Sequence, residues 1–255
     1  MNFFHVLILS VLEGITEFLP ISSTGHLILA AHALKIPQTE FLKTFEIVIQ
    51  LGAIGAIVLL YAKRVFASLE LFKKLIVAFL PTVVIGFAAY PYVKSVLLEN
   101  EQVVLCALFL GGVAIYAFEK WFNEKPGADT LDSMSYKQAL IIGLAQSVAI
   151  IPGVSRAAST ILGGLFAGLD RKSIVEFSFL LAIPTMVAAS GLDLIKSGST
   201  ITNQEFGFLG VGFVVALITA LIAVKWLLKY IQNHNFIAFG IYRIALALLF
   251  FLLMF

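Results

Sequence analysis

Two carboxylates and a run of hydroxyls stand where an apolar stretch has no structural need of them. Glu13 and Glu17 are spaced i, i+4, so a helix puts both side chains on one face. An ionised group at membrane depth is expensive and is a functional candidate by default. Two like charges that close repel each other unless one is protonated or a cation lies between them. With oxygen ligands that cation is Mg²⁺ or Ca²⁺. Glu13 and Glu17 are therefore read as metal ligands, with Glu17 also catalytic. Next comes Ser22-Ser23-Thr24-Gly25-His26, three hydroxyls and an imidazole in one short run. Capping of a helix can account for Ser22 entirely and for Ser23 in part. The same helix N-terminus is an anion site. Ser23 and His26 share a face at i, i+3, and a histidine there can be nucleophile, acid or base. Arg156 follows Gly153-Val154-Ser155, and at membrane depth it needs an anion. Glu13, Glu17 or Glu46 can serve in the absence of substrate, and a phosphate can be gripped by the planar fork. This set suits phosphate-ester chemistry. The cation and Arg156 neutralise phosphoryl oxygens, and Ser22, Thr24 and Ser155 bind phosphate. Ser23 or His26 attacks and the other handles the proton, with Ser23 the favoured nucleophile and His26 its base.

Other polar residues are read more plainly. Glu46 and Gln50, again i, i+4, and Ser178 line the same cavity or bond between helices. Arg243 is a structural partner, for instance of a lipid headgroup. Glu176 and Asp193 are interfacial. The sequence contains no glycine loop of the nucleotide-binding kind and no zinc motif.

What must position these groups is a membrane scaffold. The 255 residues are 60% hydrophobic and 13% charged, where a soluble domain is roughly 45–50% and about 25%. The mean hydropathy is +1.02. Disorder and an ordinary cytosolic enzyme are excluded, and the chain reads as an all-α polytopic membrane protein. A net charge of +2 points to no nucleic-acid partner. One cysteine, Cys106, forms no internal disulfide, and the first ten residues lack the features of a removable signal peptide.

Six stretches are long enough to cross a bilayer, at about 44–62, 75–93, 103–121, 174–195, 208–228 and 236–255. Two more, at about 3–34 and 138–168, break centrally at Leu19 to His26 and at Pro152 to Arg156. Proline ends a helix, and irregular backbone survives at that depth only beside protein or a wet cavity. Both are read as re-entrant hairpins with polar tips. The breaks echo one another about 133 residues apart. Thr44-Phe45-Glu46 echoes Glu176-Phe177-Ser178 at an offset of 132. One membrane domain over 1–255 is expected, an inverted repeat of about 1–122 and about 136–255, each half one hairpin plus three crossings. In that topology Lys63, Arg64, Lys73, Lys74, Lys120, Lys125, Lys137, Arg171, Lys172, Lys225 and Lys229 share one face. Lys35, Lys43, Lys94 and Lys196 share the other. Eleven against four makes the first face cytoplasmic. The loop at about 122–136 is polar, flexible, cytoplasmic and without chemistry. Gly111-Gly112 and Gly207 to Gly212 offer small-residue surfaces for a homodimer.

On Glu13 to His26, Lys43 to Gly52, Pro152 to Arg156 and Glu176 to Pro184, the chain resembles the BacA/UppP family of undecaprenyl diphosphatases. The likeness runs almost the whole length, and the first motif is highly specific. It implies hydrolysis of undecaprenyl diphosphate to the monophosphate and phosphate in the bacterial inner membrane. It further implies lipid-carrier recycling for peptidoglycan, dependence on a divalent cation and protection against bacitracin. It implies an inverted repeat with two re-entrant regions and an active site opening to the periplasmic face. By motif position, Glu13 and Glu17 would be the essential acidic pair, Ser23 and His26 the essential serine and histidine, and Arg156 the phosphate-binding arginine. The chain departs from the family where Ala157-Ala158 replaces Ser-Gly, which removes one hydroxyl. A transporter or flippase of polyprenyl phosphate is the rival reading, because broken helices in inverted repeats are also a transporter signature.

Overall fold

The computed structural model describes residues 1–93, 97, 100–122, 128–196 and 202–254. Residues 123–127 of the predicted polar loop, including Lys125, lie outside the described residues. So do Lys94 and the side chains of Asp193 and Lys196. Among the described residues, ten α-helices follow in order: α1 (Phe3–Thr16), α2 (Ser23–Ala33), α3 (Glu40–Ala67), α4 (Leu69–Tyr92), α5 (Glu101–Trp121), α6 (Tyr136–Ser147), α7 (Arg156–Phe166), α8 (Arg171–Lys196), α9 (Asn203–Tyr230) and α10 (Ile237–Met254). Among the described residues the sole β-type pairing is an isolated bridge between Asp129 and Leu169.

The six expected crossings are α3, α4, α5, α8, α9 and α10. The first five are long and apolar enough to span a bilayer, and the protein is a multi-pass membrane protein. The two broken stretches are α1–α2 and α6–α7. Their helices stop where side chains replace the lost ladder bonds. Ser22 caps α2 through Gly25 N and Ser155 caps α7 through Ala158 N. Ser135 and Gln138 form a capping box on α6. Each hairpin closes at its base. Val6 and Leu9 of α1 cluster with Leu27 and Ala31 of α2, and Gln138 of α6 donates to Ala167 O beyond α7 at 3.1 Å.

The inner helix of each hairpin docks on a long helix from the other part of the chain, α1 on α9 and α6 on α4. In lipid, apolar burial gains little from leaving water, so close approach of backbones matters more. Glycines permit it. A Cβ on Gly14 would lie 2.5 Å from Ala216 O, and one on Gly143 would lie 2.2 Å from Ala78 O. Ion pairs join helix ends that the predicted topology puts on one side. Arg64 meets Glu176 and Arg171 grips Glu119 at one end. His32 meets Glu101 at the other.

Two sequence expectations are corrected here. Gly111 and Gly112 are not an outer surface. A Cβ on Gly112 would lie 2.7 Å from Gly240 O, and one on Gly111 would strike the Arg243 guanidinium. The pair is an internal seam between α5 and α10, while Gly207 and Gly210 do face open space. Arg243 does not reach a headgroup, because it is fully buried and spends its donors on backbone carbonyls. Burial without a counter-ion demands that saturation.

Candidate active site

The two tips meet. Each turns on a serine with positive φ, Ser22 at 72° and Ser155 at 78°. Such backbone costs a non-glycine residue of order 1–3 kcal/mol and persists only where the surroundings hold it. Both strained serines sit one residue before a predicted site residue, Ser23 in the first tip and Arg156 in the second.

At the centre stands Glu17, buried at the end of α1. Ser23 Oγ donates to Glu17 Oε2 at 2.5 Å. Arg156 Nη2 donates to Glu17 Oε1 at 3.1 Å. One carboxylate thus joins a hydroxyl of its own tip to a guanidinium 139 residues away. Arg156 is further held by Ser178, its Nη1 donating to the Ser178 carbonyl at 2.9 Å and hydroxyl at 3.4 Å. Thr160 bonds the Ser178 hydroxyl at 2.6 Å. The Phe18 ring lies 5.8 Å from the guanidinium carbon, within cation–π range. Arg156 Nε is buried with no partner among the described residues.

A small cavity is lined by Glu17, Ser22, Ser23, Thr24, Ser155 and Arg156 on its polar side, with Ile151, Pro152 and Met186 among its apolar residues. It brings the phosphate-binding set together with the favoured nucleophile. Neither Glu13 nor His26 is among its described lining residues. His26 points elsewhere. Its Nδ1 lies 2.8 Å from the Ser22 carbonyl and its Nε2 lies 2.8 Å from the Tyr242 hydroxyl. A carbonyl only accepts, so in the neutral ring Nδ1 carries the proton and Nε2 accepts from Tyr242. The two rings stack at 5.6 Å. Glu17, rather than His26, is the group in hydrogen-bond contact with Ser23.

Glu13 is fully buried, and neither of its oxygens accepts a hydrogen bond among the described residues, although Glu17 is near enough to share a proton with it. It lies within electrostatic reach of both Glu17 and Glu46. Two carboxylates that close repel each other, and a shared proton or a cation would relieve it. Among the described residues no three His, Cys, Asp or Glu side chains cluster as a metal site. Glu13 and Glu17 offer oxygen donors of the kind that Mg²⁺ or Ca²⁺ takes.

Sequence reasoning missed Tyr242 as the partner of His26 and left Ser178 undecided. Tyr242 sits in an apolar helix with no motif around it, and nothing local signals its role. The matching positions of Glu46 and Ser178 in the two halves were the available hint for Ser178.

The family described as bacitracin resistance protein BacA matches residues 6–249. An undecaprenyl-diphosphatase from Wolinella succinogenes is 50% identical over 251 residues, covering 98% of this chain and 97% of the relative. One from Aquifex aeolicus is 48% identical over 250 residues, 98% of each chain. One from Thermus thermophilus is 47% identical over 246 residues, 95% of this chain and 94% of the relative.

Proposed function

The chain belongs to the bacitracin resistance protein BacA family, and on that premise we propose that it is an undecaprenyl-diphosphatase. It hydrolyses undecaprenyl diphosphate to undecaprenyl phosphate and inorganic phosphate, returning the lipid carrier to cell-wall synthesis and conferring bacitracin resistance. The observation that carries this reading is the Ser23–Glu17–Arg156 relay, formed between the two tips on the wall of a cavity with an apolar side.

The chemistry follows from that geometry. Arg156 and the hydroxyls of Ser22, Thr24 and Ser155, which line the cavity, bind the diphosphate. Arrival of the phosphate loosens the Arg156–Glu17 pair, which leaves Glu17 the stronger base. Ser23 Oγ attacks the terminal phosphorus as its proton passes to Glu17. The Oγ–P bond forms, and the P–O bond to the leaving undecaprenyl phosphate breaks. Water then attacks the phosphoserine, releasing phosphate, and Glu17 returns the proton to Ser23. His26 supports the nucleophile indirectly by fixing the Ser22 carbonyl next to it. Glu13, with lone pairs of Glu17, would hold the divalent cation. When bound, that ion neutralises charge on the phosphoryl oxygens.

The excess of basic residues, eleven against four, supports an inner-membrane orientation with the tip of α1–α2 reached from the periplasmic face. The prenyl chain stays in lipid.

The test is phosphate release from undecaprenyl diphosphate by purified protein in detergent, with and without Mg²⁺, followed by trapping of the phosphoenzyme. Release that requires Mg²⁺, with label on Ser23, is expected. Label on His26 would restore it as nucleophile. No release in detergent, together with movement of polyprenyl phosphate across vesicles, would establish the transporter instead.

A further inference from the structure

Arg243 lies on α10, outside the cavity, yet it touches both tips. Its guanidinium donates to five backbone carbonyls. Nη1 reaches Pro20 O at 3.3 Å and Val154 O at 2.9 Å. Nη2 reaches Gly153 O at 2.8 Å and Ala107 O at 3.0 Å, and Nε reaches Leu108 O at 3.3 Å. No carboxylate pairs with it among the described residues. Arginine has five N–H donors in a fixed fork, and here they are matched by five carbonyls. Three of these belong to the turns. Pro20 lies two residues before Ser22, and Gly153 and Val154 lead directly into Ser155, so the fork grips the chain just ahead of both serines with positive φ. Gly111 makes the space. A Cβ there would lie 2.1 Å from Nη2 and 2.7 Å from Cζ of Arg243. A lysine, with all its donors on one flexible nitrogen, does not span these acceptors.

We infer that Arg243 is a positioning residue whose guanidinium clamps the two hairpin tips to each other and to α5, and so fixes the alignment of Ser23, Glu17 and Arg156. Its bonds go to main-chain oxygens and not to the cavity, so it acts through the backbone. The inference rests on the phosphatase reading for what the clamp positions, while the clamp itself is testable without activity.

Arg243→Lys, Gly111→Ala and the double variant are made in the full chain and purified in detergent. Amide hydrogen exchange is read on peptides covering 17–24 and 150–157, with the melting temperature and the phosphate-release kcat per folded protein alongside. Exchange at both tips rises about tenfold or more in each single variant, as expected when a local opening becomes easier. The kcat falls about 100-fold, the scale of a 1 Å misplacement. The double variant is no slower than Arg243→Lys alone, because the added methyl displaces a fork that is already gone. Exchange that rises at neither tip or at only one overturns the clamp, as do additive losses or an unchanged kcat per folded protein. If Arg243→Lys does not fold, Gly111→Ala, which keeps the arginine, decides by the same exchange readout. A wild-type protein that releases no phosphate, while both tips loosen in the variants, sinks the phosphatase reading and leaves the clamp standing.

Discussion

The two hairpin tips share a backbone and divide the chemistry between them. Ser22 and Ser155 adopt nearly the same torsions, φ 72° with ψ 93° and φ 78° with ψ 114°. Each caps the helix that follows through the amide three residues on, at 3.3 and 3.2 Å. The next residue differs: a serine hydroxyl in the first tip, a guanidinium in the second. The helices leading in differ as well. Glu13 accepts no hydrogen bond at its carboxyl among the described residues. Gln146, 133 positions later, bonds Thr82 at 2.8 Å and Thr185 at 3.2 Å. A neutral amide at that place is fully absorbed by the fold. The carboxyl of Glu13, accepting none, has the like-charged Glu17 beside it, an arrangement that a shared proton or a cation relieves. The two tips are thus alike in turn and cap and unlike in the polar side chains that lead into and follow them.

The comparison is broken most decisively at the bond between the tips. Ser23→Ala and Glu17→Ala should each lower kcat at least about 1,000-fold, within the range for losing a nucleophile or its base. Glu17→Ala should also lower the melting temperature, since removing one partner of a buried pair costs about 3–5 kcal/mol. Arg156→Lys keeps the charge but loses the fork, and a fall of about 100-fold in kcat/KM is expected. Steady-state kinetics with thermal unfolding in detergent check all three.

Exchange of the matched positions sharpens the contrast. Glu13→Gln should abolish the response of phosphate release to Mg²⁺ and leave the melting temperature the same or higher, because a neutral amide replaces a buried carboxyl beside Glu17. Gln146→Glu should lower the melting temperature and leave the Mg²⁺ response alone. Equal effects at the two positions would show that neither is reserved for a ligand.

A smaller change is expected at His26. Tyr242→Phe removes one hydrogen bond, so stability should fall by about 0.5–1.5 kcal/mol and kcat by no more than roughly 12-fold. A loss as large as that of Ser23→Ala would give His26 and Tyr242 a direct part in the chemistry. The smallest effect belongs to the strained turns. Ser22→Gly and Ser155→Gly give up a cap, at a few tenths of a kcal/mol, and relieve positive φ, so melting temperatures should hold or rise. The corresponding alanines lose the cap and keep the strain, and should be less stable by about 1 kcal/mol.

Composition, hydropathy and local punctuation determined the scaffold. Pro20 with Ser22 and Ser23 close behind, and Pro152 with Gly153 and Ser155, combine a missing backbone donor with capping and turn residues and interrupt their helices, whereas Pro81 and Pro184, with no serine or glycine close behind, are carried inside α4 and α8. The i, i+4 carboxylates and the hydroxyl run marked the site because charge at membrane depth is too costly to be incidental. Only the tertiary structure decided the partners. Glu17 bonds Ser23 and Arg156, His26 turns to Tyr242, and Arg243 closes both turns. Apart from the bond between Glu17 and Ser23, these contacts join residues far apart in the chain, and their energies depend on which helix faces which. In lipid that choice rests on the fit of small residues such as Gly14, Gly111 and Gly143 against neighbouring helices, which no periodicity in the sequence records.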